Sequence, residues 1–212
     1  MKHLKIGLTV LLLASVPNVQ AGEVSFRYGF IGKQGADAKN LVVIEEGATL
    51  HSGDPLKLNF EHSKGTWFYI YYRSTLDEYA LLYSAKGRKS QQSKIAFGTL
   101  GWLTLDQHTG EETFMLIASN RQLRKLEKTF KKYEVATGES KKRFRKRIRA
   151  LIEKLRGEHS TDSSVVLPKR LEQPVIAAVS FRAAKTPIRA KSLAYESLGD
   201  EVAVVTFVIQ HH

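Results

Sequence analysis

Between residues 24 and 30 the chain alternates strictly. Val24, Phe26, Tyr28 and Phe30 fall on one parity, Ser25, Arg27 and Gly29 on the other. A period of two places all four large apolar side chains on one face of an extended strand. A short apolar run over 41–44 ends at Glu45, Glu46 and Gly47. After the turn residues Gly53, Asp54 and Pro55, the alternation resumes at Leu56, Leu58 and Phe60. Residues 66–72 are aromatic and β-branched on both parities, which predicts a strand covered on both faces. There Trp67, Tyr69 and Tyr71 share one face, and Phe68, Ile70 and Tyr72 the other. Such a row could stack on sugar rings, but filling a core is its commoner use. Residues 79–83, 102–105 and 113–118 complete a series of short strands whose spacing predicts a sandwich or open barrel.

At Asn120 the period changes. Leu123, Leu126, Phe130 and Tyr133 recur at helical intervals, Thr137 and Gly138 interrupt, and Phe144, Ile148, Leu151, Ile152 and Leu155 mark one face of a second helix. Asn120 and Ser140 are the expected caps. Residues 157–164 are polar and predict a loop. Extended structure is expected again over 174–181 and 202–209, the last run being apolar on both faces, as in a central strand. The expected fold is therefore mainly β and β-sandwich-like: a single domain over 22–212, with an α-helical hairpin inserted at 120–157.

The first 21 residues have the parts of a cleavable secretory signal. Lys2 and Lys5 precede an uncharged apolar run over 6–16, and Val19 and Ala21 put small residues where a signal peptidase inspects. A membrane-spanning helix needs about 20 apolar residues, and this run is about half that before Pro17 and Asn18. The sequence thus predicts export, with no transmembrane span. With no cysteine in the chain, neither a disulfide nor thiol chemistry is available.

Charge singles out the hairpin. The chain carries +12, of which Lys2 and Lys5 supply two. Residues 121–157 hold 15 Lys and Arg against four acids, a net +11, so the rest of 22–212 is close to neutral. The candidate anion- or partner-binding residues are Arg121, Arg124, Lys125, Lys128, Lys131, Lys132, Lys141, Lys142, Arg143, Arg145, Lys146, Arg147 and Arg149. A basic amphipathic helix can lie on an anionic membrane or bind a polyanion. The bland alternative is that its apolar stripe packs internally and its charges stay solvated. Nucleic acid could use the same cations through phosphate contacts, but an exported chain seldom meets it and no nucleic-acid-binding module is visible.

The order of several short motifs resembles the bacterial domain of unknown function 4384 family. They are Tyr28-Gly29-Phe30, Leu50-His51-Ser52-Gly53-Asp54, the aromatic strand at 67–72, Leu81-Leu82-Tyr83, Leu105-Asp106, Thr109-Gly110-Glu111-Glu112 and Met115-Leu116-Ile117-Ala118-Ser119. The resemblance covers roughly 24–126, with a weaker echo at 207–211. It implies an exported or envelope-associated β-rich protein, here in the periplasm, and carries no catalytic residues. Ser84 stands where that family often has a proline, and the basic helical pair is not part of its pattern.

Other chemistry has weaker support. His51, Asp54, His62, Asp106 and His108 are conceivable metal ligands, but only Asp106 and His108 are close neighbours, so no metal or cofactor is expected. His211 and His212 receive no role. No nucleophile elbow or phosphate-cradling loop occurs. As neighbours on a strand, the adjacent acids Asp77 and Glu78, and Glu111 and Glu112, are expected to point to opposite faces and so to be poorly placed to share one substrate. The expectation is a non-enzymatic envelope interaction module acting through its basic helices on a partner protein or anionic surface. The alternative is an accessory subunit that docks through its β-domain, the helices being only structural. A hydrolase would require a pocket with convergent His, Asp or Glu side chains.

Overall fold

The computed structural model describes residues 24–34, 40–86, 95–159, 161–162 and 195–212. The expected signal segment and the expected strand at 174–181 lie outside the described residues. In chain order the elements are β1 (Val24–Gln34), β2 (Asn40–Ile44), β3 (Thr49–Leu50), β4 (Pro55–Ser63), β5 (Trp67–Arg73), β6 (Tyr79–Lys86), β7 (Ile95–Thr99), β8 (Leu103–Thr104) and β9 (Gly110–Ser119). Then come α1 (Arg124–Val135), α2 (Gly138–Glu158), β10 (Thr161–Asp162), β11 (Tyr195–Gly199) and β12 (Val202–His211). The fold is mainly β with a helical hairpin, as the periodicity predicts.

The strands form two sheets. The first runs β10-β11-β1-β4-β7, with β2 also on β1 and β8 also on β4; the second runs β3-β12-β9-β5-β6. Two partners share one edge of β1, because β11 pairs with its first half and β2 with its second. The predicted alternation is realised: Val24, Phe26, Tyr28, Phe30, Leu56, Leu58 and Phe60 enter one core between the sheets. The second sheet supplies Phe68, Ile70, Phe114, Leu116, Phe207 and Ile209 to the same core. Phe30 stacks on Phe207 at 4.1 Å between ring centroids, joining the sheets at the centre.

The other face of the second sheet carries a second core. Tyr69, Tyr71, Met115, Ile117, Val202 and Val204 meet Leu126, Phe130, Tyr133, Ile148 and Ile152 from the helices. The result is three layers, sheet on sheet on helical hairpin. This explains why β5 and β12 are apolar on both parities. Each strand is covered on both faces, and β12 earns that pattern from face coverage rather than from two full-length neighbours, since β3 pairs only with Gln210 and His211.

Several boundaries differ from the sequence expectation. α2 continues to Glu158, past the start of the expected loop. Strands β7, β10 and β11 carry no strong alternation and were not predicted. The expected caps are corrected: α1 is preceded by Leu123 and α2 by Thr137, neither making a side-chain cap bond. Asn120 instead donates its backbone N–H to Glu201 O, and Ser140 lies inside α2. The start of α1 is held from outside the helix. The Leu123 N–H donates to the Tyr69 hydroxyl at 3.1 Å, and that hydroxyl donates to Glu127 Oε1 at 2.7 Å.

Candidate functional site

The helical pair presents its basic residues on two differently used surfaces. Its apolar seam is buried on the second sheet, with Leu126, Phe130, Tyr133, Ile148 and Ile152 all nearly inaccessible. That seam is therefore committed to protein packing and is not free to enter a bilayer while the hairpin stays docked. Among the described residues no helix is long and apolar enough to cross a membrane.

Three of the thirteen candidate cations face the tight turn between β5 and β6. Asp77 there adopts φ 59°, a left-handed conformation that Asp tolerates better than most residues. Its carboxylate meets Arg149 at 2.7 Å and Arg145 at 3.4 Å. Glu78 meets Lys141 at 2.6 Å and Arg145 at 2.8 Å, and accepts the Tyr133 hydroxyl at 2.5 Å. The Tyr133 oxygen in turn accepts the Tyr79 N–H at 2.9 Å. Burial acts to raise the Glu78 carboxyl, but the Lys141 and Tyr133 hydrogen bonds outweigh it and hold the group below its ordinary value. Lys141, Arg145 and Arg149 thus clamp α2 to the sheet.

The remaining candidates are exposed. Arg121 reaches Glu201 at 3.8 Å, Lys142 pairs with Glu139 one turn back, and Arg124 binds Gln122. Arg143 touches Ser140 and lies over the Phe144 ring. Lys125, Lys128, Lys131, Lys132, Lys146 and Arg147 are exposed and meet no acid among the described residues. The two helices therefore form one solvent-facing layer that is cationic along both members.

A second constellation lies on the opposite side of the second sheet, at the end of the inter-sheet core. Glu112 and His211 are both almost fully buried there. His211 Nδ1 is 3.4 Å from Glu112 Oε1, and its Nε2 is 3.1 Å from Ser52 Oγ. The Tyr72 hydroxyl donates to Glu112 Oε2. Asp106 completes the group: one of its carboxylate oxygens, one of Glu112 and a ring nitrogen of His211 all lie within 4.8 Å of one another. Asp106 is held below the ordinary Asp value, first by the His108 backbone N–H and then by the His108 ring. A surface cavity lined by Ser52, Gly53, Leu105, Asp106, Gln107 and His108 opens beside it.

Ser52, His211 and Glu112 have the connectivity of nucleophile, base and orienting acid. The N–H groups of Ser52, Gly53 and Asp54, however, bind His212 O, Leu105 O and His51 O. None of these three is free to stabilise an oxyanion. Of the other conceivable metal ligands, His62 is buried against Phe68 with rings 5.0 Å apart, and His51 pairs with Asp54 at 3.7 Å. Sequence reasoning passed over Glu112 and His211. Their only local signal is a polar residue on the core parity of a strand: Glu112 shares a face with Phe114 and Leu116, and His211 with Phe207 and Ile209. The aromatic row is core on both faces, with Tyr69 and Tyr71 under the helices and Phe68 and Ile70 between the sheets. Compared with known proteins, the chain matches no family model, no curated protein and no solved structure.

Proposed function

We propose that the protein is an exported, non-enzymatic module of the periplasm that docks on an anionic surface or an acidic partner through its basic helical layer. The observation that carries this reading is the division of labour among the cations. Those facing the sheet are matched by Asp77 and Glu78, whereas Lys125, Lys128, Lys131, Lys132, Lys146 and Arg147 face solvent without acid partners among the described residues. Unmatched charge of one sign repels itself and costs stability, a cost that an opposite surface relieves. Each cation near an anionic bilayer contributes about 1 kcal/mol. Because the apolar seam is occupied, the docking is electrostatic and salt-sensitive rather than insertional.

The test is sedimentation with vesicles containing anionic phospholipid, against purely zwitterionic vesicles. Changing Lys125, Lys128, Lys132, Lys146 and Arg147 to Glu should weaken association at least 100-fold while leaving the far-ultraviolet spectrum in place and not lowering the melting midpoint. Lys141, Arg145 and Arg149 stay unchanged, since reversing them would undock α2. If the variant and parent associate equally with the anionic vesicles and with acidic proteins captured by crosslinking in cells, the helices are not the working surface.

A further inference from the structure

We propose that Asp106, Glu112 and His211 bind one divalent transition-metal ion of the zinc class, cross-linking the β8–β9 loop, β9 and β12 at the end of the inter-sheet core. This site is independent of the basic layer and lies on the other side of the second sheet.

The donor set suits such an ion, since imidazole and carboxylate together serve zinc and its neighbours. The separation of 3.4 Å between His211 Nδ1 and Glu112 Oε1 is long for a charge-assisted hydrogen bond. It equals the edge of a tetrahedron whose metal–ligand bonds are about 2.1 Å, the usual length for zinc with nitrogen or oxygen. The outer partners that orient metal ligands are also in place. Ser52 Oγ can accept from His211 Nε2–H, which leaves Nδ1 as the ligating nitrogen. The Tyr72 hydroxyl fixes the second oxygen of Glu112, and the His108 ring lies 3.1 Å from Asp106 Oδ2.

Electrostatics point the same way. Glu112 is 1% exposed, yet among the described residues it meets no Lys or Arg. Burying a carboxylate is costly unless its charge is paired; Glu112 faces the Tyr72 hydroxyl and the His211 ring, and the exposed Asp106 brings a second carboxylate within 4.8 Å. A dication balances both. Access is through Asp106, whose side chain is 64% exposed and lines the adjoining cavity, where a water could take a fourth position. The cross-link would tie β12 to the β8–β9 loop and the start of β9, with 99 positions between Glu112 and His211, in a chain that has no cysteine to form a disulfide.

The test is zinc chloride titrated into chelator-stripped, tag-free protein at pH 7, followed by calorimetry and by melting. We expect one equivalent bound and a raised melting midpoint. Asp106→Ala, a change at an exposed side chain, should weaken binding at least tenfold and shrink the zinc-induced rise measured from the variant's own metal-free midpoint. Cobalt in place of zinc should give the strong visible absorption of a four-coordinate site in the parent only. His51→Ala and His212→Ala should bind like the parent. No saturable binding, undiminished binding by Asp106→Ala, or loss of binding in His212→Ala would each overturn the proposal.

Discussion

Two tyrosines two residues apart on β5 test the account of helix docking with an internal control. Tyr69 and Tyr71 are both fully buried under the helices, and their rings stack at 6.2 Å. The Tyr69 hydroxyl accepts the Leu123 N–H and donates to Glu127, whereas the Tyr71 hydroxyl has no hydrogen-bond partner among the described residues. Replacing either by Phe removes one oxygen and leaves the ring. In Tyr69→Phe the buried Leu123 N–H is left unsatisfied, a penalty of about 1–3 kcal/mol. Glu127 keeps Gln122 Nε2 at 2.8 Å and some solvent, so its loss falls at the low end of the range for charged hydrogen bonds. The expected destabilisation is about 3 kcal/mol, or about 6–12 °C in the melting midpoint for a chain of this size. Tyr71→Phe removes a buried hydroxyl that gains nothing, and should be neutral or stabilising by up to about 1 kcal/mol. Urea unfolding of both variants at pH 7 reads the difference directly. Equal losses in the two would refute the claim that a tertiary tyrosine, rather than a local cap, starts α1.

Two further outcomes follow from the core. Burial drives the His62 imidazole below its ordinary value of 6.5, with the Ser63 carbonyl opposing. The unfolded chain therefore takes up a proton that the folded chain refuses, and stability should fall as pH drops below about 6.5, with a limiting slope of about 1.4 kcal/mol per pH unit. His62→Phe should flatten that dependence in unfolding curves taken between pH 7.5 and 5; an unchanged slope would assign it elsewhere. At Gly199 an added Cβ would lie 2.4 Å from Val202 O and 2.9 Å from Val202 C, both backbone. Gly199→Ala should cost about 1–3 kcal/mol by forcing the β11–β12 turn apart, and a melting midpoint within 1 °C of the parent would contradict that crowding.

The layers of this fold were legible because each leaves a periodic trace. Parity at Val24–Phe30 reports a strand with one dry face, and the Leu126–Phe130–Tyr133 spacing reports a helix with one. The doubly apolar β5 and β12 reported coverage on both faces, although not what covered the second. The caps were illegible because α1 borrows its acceptor from Tyr69, 54 residues earlier in the chain. The sorting of cations was hidden for a related reason. Lys141, Arg145 and Arg149 look like their neighbours in sequence, and only the sheet turn bearing Asp77 and Glu78 separates them. The histidine–carboxylate group joins residues up to 159 positions apart, from Ser52 to His211, so no local spacing could announce it.

The position of β12 bears on how the molecule opens. It gives Phe207 and Ile209 to the core between the sheets and Val202 and Val204 to the core beneath the helices. The hairpin can lift away and leave the sandwich closed, but nothing can remove β12 without opening both cores at once. Amide exchange should accordingly resolve two classes of protection. The α1 and α2 amides would exchange through a partial opening, and those of β9 and β12 only through complete unfolding. A docking event that grips the helices would then slow exchange in the hairpin while leaving the β12 rate, and hence the lifetime of the whole fold, almost untouched.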